Sequence, residues 1–389
     1  MDLEIAHIPL SFYVHIPWCE KKCPYCDFNS HAIKDVMPEE KYVEALLIDA
    51  QMEINALRGR TISSIFFGGG TPNIFSALSI GKILTFIKAN FSVLPNAEVT
   101  VEANPSRYCI SSGKQIEESL LELRQVGVNR LSVGVQSFND NNLLKIGRLH
   151  TGGQAVDFVN MSLHIFSNVN LDIMYGLPDQ SIGDFHLDIE KALILKPSHL
   201  SVYQLTIEEN TEFSSFRPNL PKDEVIWSMY QKLIQELKDA DYHRYEISAF
   251  SLKGSECFHN KNYWLFGDYI GIGAGAHSKL SFEDRIERQN CFRQPDKYME
   301  MVLKRNGSHK LRKNLKVEEL PGEFMLNVLR LIDGFDVSLY SSRTGQKFQE
   351  IRKLVNLAEE KKLLTIFGNK IKPTMLGLNF LTDLQEIFF

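Results

Sequence analysis

Over its first 207 residues the chain alternates short apolar runs with amphipathic stretches, and this alternation restricts the fold more than any other feature of the sequence. The apolar runs are 12–16, 64–67, 98–102, 130–135, 168–173 and 199–203. Between them, 41–57, 80–90, 115–126, 154–166 and 185–195 repeat their apolar residues at the helical period. Strands separated by helices form parallel βαβ units with right-handed crossovers. Six such units in 207 residues predict an α/β fold built on a partial, open (β/α)6 barrel. Chemistry in barrels of this kind gathers at the C-terminal ends of the strands.

After residue 207 the pattern changes. Residues 222–240 read as a long amphipathic helix, with a strand near 245–250. The stretch 304–316 is basic (Lys304, Arg305, Lys310, Arg312, Lys313, Lys316) and lacks apolar periodicity. It reads as a solvated linker, with a partner-binding patch as the alternative. Two helical stretches follow, 318–331 and 346–361, then a hairpin signal at Gly368-Asn369 and a closing amphipathic helix. That order predicts a C-terminal α+β winged-helix-like module used for packing. The expected division is 1–207, 208–303 and 304–389.

A hydrophobic content of 44% is enough for a large core, and a net charge of −5 offers nucleic acid no general attraction. No apolar run reaches the roughly 18 residues of a membrane span. Asp2, Glu4, Pro9, His15 and Pro17 break any signal-peptide pattern at the start. A cytoplasmic protein is expected. Of six cysteines, Cys109, Cys257 and Cys291 are isolated and read as small buried hydrophobes.

The other three stand together as Cys19-Glu-Lys-Lys-Cys23-Pro-Tyr-Cys26, directly after the first strand. Three thiolates on one loop can each ligate one iron of a 4Fe–4S cubane and leave the fourth iron open. S-adenosylmethionine can chelate that iron through its amino and carboxylate groups. Electron transfer would then cleave the sulfonium to a 5′-deoxyadenosyl radical, chemistry that belongs to the cofactor. A zinc knot completed by His31 is the competing reading. With this spacing in this position, the chain resembles the radical-SAM superfamily.

Polar and glycine residues recur at the following strand ends. Gly68-Gly69-Gly70-Thr71 follows the second strand, where glycines permit close backbone approach to a ligand. Glu102 ends the third, Gln136 the fourth, and Asp172 lies at the fifth; Arg148 follows in Gly147-Arg-Leu-His150. Each taken alone is as well explained by a turn or a buried structural polar group. Together they suggest a shared pocket. Resemblance to the coproporphyrinogen-oxidase-like branch implies that Tyr13, Tyr25, Gly69, Gly70, Thr71, Glu102, Gln136, Arg148, Asp172, Thr206 and His277 contact S-adenosylmethionine.

Within that branch the chain is similar to the heme chaperones rather than to the oxygen-independent oxidases. The oxidases carry a further cysteine where this chain has Phe28, and a longer segment before the residue matching Tyr13. The motif His259-Asn260-Lys-Asn-Tyr263-Trp264 matches the HNxxYW of the chaperones. Histidine can ligate heme iron and aromatic rings can pack on a porphyrin. The resemblance therefore implies heme contacts at His259, Asn260, Tyr263 and Trp264, in an irregular loop, with Cys257 as a further option. It also implies an electron donor, an acceptor hemoprotein and transient contact with membrane hemoproteins. Gly271-Ile-Gly-Ala-Gly-Ala-His277 is read as a second close approach to the adenosine end of the cofactor.

Overall fold

All six expected strands form, and they pair in chain order. The computed structural model describes residues 3–57, 59–108, 112–305 and 309–389; Cys109 lies outside these. The strands are β1 (Leu10–Ile16), β2 (Thr61–Gly69), β3 (Ser92–Ala103), β4 (Arg130–Gln136), β5 (Val169–Tyr175) and β6 (His199–Gln204). Each is parallel to the next. The helices between them are α1 (Glu39–Glu53), α2 (Ala77–Asn90), α3 (Gly113–Gln125), α4 (Gly152–Ile165) and α5 (Ile182–Leu195).

Local chemistry sets the helix starts. Ser112, Thr151 and Ser181 each head a capping box, satisfying amide donors that the first turn leaves open. Strands covered on both sides become near-continuously apolar, and β1 is buried at every position except Tyr13.

The sheet grows beyond the six strands at both edges, reaching twelve. Beside β6, Ala249–Ser251 adds antiparallel. Beside β1, Asp268–Ile272 adds parallel, followed by the antiparallel strands His277–Ser281, Ile286–Cys291 and Lys310–Asn314. The last of these corrects the linker expectation for 304–316. An edge strand with charged side chains on its open positions shows no apolar period, and it resists pairing with other chains. Lys310 points inward, completely buried, 2.9 Å from Asp49 and 2.8 Å from Glu53 on α1.

The C-terminal module packs Leu320–Val328, Val337–Thr344 and Arg352–Glu360 against a three-stranded sheet, with Phe324, Tyr340, Val355 and Ile371 in its core. The hairpin turns at Gly368-Asn369 as expected. Phe266 and Ile286 join the same core, so the module is seated on the strands added to the barrel. The closing helix is split into Met375–Asn379 and Leu381–Glu386.

Candidate functional site

The cysteine loop leaves the C-terminal end of β1. Trp18–Cys19 pairs with His31–Ala32 and closes the loop at its base. Cys19, Cys23 and Cys26 are free and half-buried. Burial pushes the Cys19 and Cys26 thiols up, so forming their thiolates calls for a metal to take the place of the proton. Arg148 Nη1 stands 3.8 Å from Cys23 Sγ, and Ser30 Oγ 3.9 Å from Cys26 Sγ. Among the described residues no three His, Cys, Asp or Glu side chains close on a single ion position. A cubane makes a different demand, one thiolate at each of three corners. Free sulfurs spread over one loop beside a cation fit it.

Two glycine loops clamp this loop from either side. The Gly70 and Thr71 amides donate to the Ile16 and Trp18 carbonyls, each at 2.8 Å, and a Cβ on Gly70 would lie 2.4 Å from Trp18 O. Opposite, Asn29 Nδ2 donates to the carbonyls of Ala274 and Arg293, both at 2.8 Å, and a Cβ on Gly275 would lie 2.3 Å from that nitrogen. At both positions the close approach is to the cysteine loop itself.

Above the strand ends opens a cleft of about 690 Å³, within the usual range for cofactor sites. Of the expected contacts, Tyr13, Gly69, Glu102, Tyr263, Trp264 and His277 share its wall, with Phe28 beside them. Glu102 accepts from the Gly69 amide at 3.0 Å, and burial, with Asp172 nearby, raises its carboxyl to about 8. Asp172 is raised as well, by burial, while Asn170 Nδ2 donates to it at 2.8 Å and Ser132 Oγ at 3.3 Å.

Other expected residues stand off the cleft wall. Arg148 donates to Asn104 Oδ1 at 2.8 Å and to Gly134 O at 2.6 Å, spanning from β4 to the cysteine loop. Gln136 ends β4 at φ +68°, and Tyr25 packs on a small cluster around Leu177 and Phe213. Thr71 is buried under the cysteine loop. Thr206 is exposed in the loop after β6, donating to Glu208 at 2.8 Å.

The HNxxYW segment forms a helix, Phe258–Trp264, where an irregular loop was expected. Glu98 on β3 holds its start, accepting from the amides of Phe258 and His259 at 3.2 and 3.3 Å and from Cys257 Sγ at 3.4 Å. A carboxylate at a helix N-terminus meets the open amides and the positive end of the helix dipole. Cys257 is therefore fully buried and bonded away from the cleft.

His259 is 2% exposed, and both ring nitrogens are bonded within the protein: Nδ1 to Ser64 Oγ at 3.0 Å, Nε2 to Tyr263 Oη at 2.8 Å. Burial, helped by Arg130, lowers its imidazole to about 3, so the ring is neutral. Ser64 meets Ser11 at 2.8 Å, and Asn262 Nδ2 donates to Ser11 Oγ at 2.9 Å. A polar chain thus crosses the barrel interior and ends on the Tyr263 phenol in the cleft. Asn260 is half-buried beside it. Sequence reasoning missed Ser11, Ser64, Glu98 and Arg130; the available signal was polar residues inside otherwise apolar strands.

The barrel, the three-cysteine loop and the cleft beside it define a radical-SAM protein. The sequence matches the Radical SAM superfamily over residues 13–192 and the HemN C-terminal domain over residues 315–380. The chain belongs to the heme chaperone HemW family. It is 39% identical over 382 residues to the heme chaperone HemW of Escherichia coli (strain K12), covering 98% of each chain. It is 38% identical over 387 residues to that of Haemophilus influenzae, again with 98% of each chain covered. Among solved structures, the coproporphyrinogen III oxidase HemN from Escherichia coli, a radical SAM enzyme, matches with a TM-score of 0.81 at 23% identity, over 98% of this chain and 90% of that one. At that identity the likeness establishes the shared fold. Radical-SAM membership implies a 4Fe–4S cluster and S-adenosylmethionine as cofactors.

Proposed function

We propose that this chain is a heme chaperone, binding heme at the aromatic end of the cleft and handing it to an acceptor hemoprotein in the cytoplasm. The observation that carries this reading is the shared wall: Tyr263 and Trp264 of the chaperone motif line the same cavity as Gly69 and Glu102. A carrier that couples its cluster to its cargo needs the two sites to adjoin. The family's name and its full-length likeness support the cargo.

Cys19, Cys23 and Cys26 would hold the cluster, with Arg148 balancing thiolate charge beside Cys23. S-adenosylmethionine at the open iron supplies a sulfonium that a reduced cluster can cleave, given an electron donor. Gly69, Gly70 and Thr71 would border its amino-acid end. Glu102 and Asp172 would accept from hydroxyls, with Tyr13 packing alongside. Tyr25, Gln136 and Thr206 are the remaining proposed contacts. Tyr263 and Trp264 would face the porphyrin, while His259 and Asn260 keep their helix in register. Phe28, 61% exposed, lines the same cleft.

The test is a hemin titration of the anaerobically reconstituted chain, followed by mixing with an apo-hemoprotein such as apomyoglobin. A saturable Soret band near one hemin per chain, moving to the acceptor on mixing, is expected. A chain that takes up no hemin but decarboxylates coproporphyrinogen III with S-adenosylmethionine and a reductant would be an oxidase instead.

A further inference from the structure

Two histidines, His15 and His277, line the cleft and a third, His259, lies buried behind Tyr263; they differ in what their rings are free to do. His259 has both nitrogens bonded inside the protein. His15, 5% exposed, is equally engaged: its Nδ1 meets Tyr13 Oη at 3.0 Å and its Nε2 meets the Asn29 carbonyl at 2.9 Å. His277 differs. It begins the strand His277–Ser281, its side chain is exposed on the cleft wall, and among the described residues none hydrogen-bonds its imidazole.

Its neighbours suit a planar dianionic macrocycle. Asn290 faces it across the strand pair, and Arg293, an exposed residue, lines the same wall. Trp264 Nε1 is buried with no partner, on a ring that also lines the cleft and stacks under Arg330 at 4.4 Å. A buried indole N–H lacking an acceptor is uncommon in a folded protein and points to one supplied from outside. Tyr263 is a poor iron ligand, because its phenol is raised well above its ordinary range by burial and the neutral His259 beside it is a weak base.

Building on the heme-carrier reading above, we infer that His277, not His259, offers the axial nitrogen to heme iron, with Arg293 and the Trp264 N–H receiving the propionate edge. The bond formed is a nitrogen lone pair to iron, with no proton or electron exchanged. Partial desolvation on the cleft wall, together with Arg288 and Arg293, lowers the imidazole's affinity for protons, which leaves that lone pair available at neutral pH. His259 then acts as a positioning residue: it holds the Tyr263 ring through its phenol and reaches the iron only if its helix unwinds. The contact with S-adenosylmethionine expected of His277 from resemblance gives way to contact with the cargo.

Hemin titration of the full-length reconstituted chain tests this, read by optical and electron paramagnetic resonance spectra of the ferric heme. His277→Gly is expected to lose the nitrogen-ligand signature, to weaken hemin binding at least about tenfold, and to regain the signature with added imidazole. Iron and sulfide content of the cluster reports whether the variant folds. His259→Gln, which keeps a hydrogen-bonding side chain, is expected to retain the signature. An unchanged spectrum in His277→Gly, or loss of the signature in His259→Gln alone, overturns the inference while leaving the heme-carrier reading intact. Failure of the unaltered chain to bind hemin overturns both.

Discussion

Glu102 shows what a single side chain at a strand end does to the molecule. Its carboxyl is raised from 4.5 to about 8, by burial first and Asp172 second. Between those values the folded chain keeps a proton that the unfolded chain has released, so stability falls as pH rises through that window. Glu102→Gln removes this contribution. Its thermal midpoint should exceed that of the unaltered chain by on the order of 1–3 °C at pH 8 and match it near pH 4.5. A difference of the same size at both pH values would contradict the assignment. Glu102, next to the end of β3, and Asp172, midway along β5, were legible in the sequence as acidic residues within apolar runs. The working state of His259 was not: its partners Ser64 and Tyr263 come from β2 and from a later helix, and no pattern along the chain reveals a bond across the barrel.

Elements whose burial is periodic were read from the sequence with small errors at their ends. Each of β1–β6 was visible as an apolar run, because a parallel strand under helices has both faces covered. The strands between residues 268 and 314 gave no such run. Asp268–Ile272 is parallel to β1, the other three are antiparallel, and they bury polar groups such as Ser278, Lys279 and Gln289. The helix Phe258–Trp264 was equally hidden, since seven residues carry too little periodicity and its cap, Glu98, lies 160 residues upstream of Phe258. Glu98→Ala removes that cap and leaves Arg130 buried without its carboxylate at 3.9 Å. The expected cost is about 2–4 kcal/mol in urea unfolding, with hemin binding weakened in parallel. Unchanged unfolding would mean that the helix needs no cap. Gly70→Ala presses a methyl against the Trp18 carbonyl. It should lower stability by about 1–3 kcal/mol and reduce iron retained per chain, whereas full retention would show that the clamp is dispensable.

At the scale of the molecule, two buried charge clusters join the barrel to the strands added beside it. Asp49 and Glu53 of α1 meet Lys310, with His309 at 2.9 Å and Tyr298 Oη at 2.7 Å from Asp49. Asp268 meets Arg60 at 2.7 Å and Lys279 at 2.8 Å. The first cluster holds the Gly273–Gly275 turn beside the cysteine loop, since the Gly273 amide donates to both Asp49 and Tyr298. Lys310→Met removes the ammonium shared by two buried carboxylates and should cost about 3–5 kcal/mol in urea unfolding; a near-neutral effect would make the cluster incidental. The proposed function depends on the open iron corner that a cluster held by Cys19, Cys23 and Cys26 would have. Its most direct test is electron paramagnetic resonance of the reduced, reconstituted chain with and without S-adenosylmethionine, beside iron and sulfide counts. The predicted result is about four irons and four sulfides per chain, a cluster signal that changes when S-adenosylmethionine is added, and loss of that signal on replacing any of the three cysteines by serine. A signal indifferent to S-adenosylmethionine, or iron and sulfide contents unaffected by the serine replacements, would contradict it.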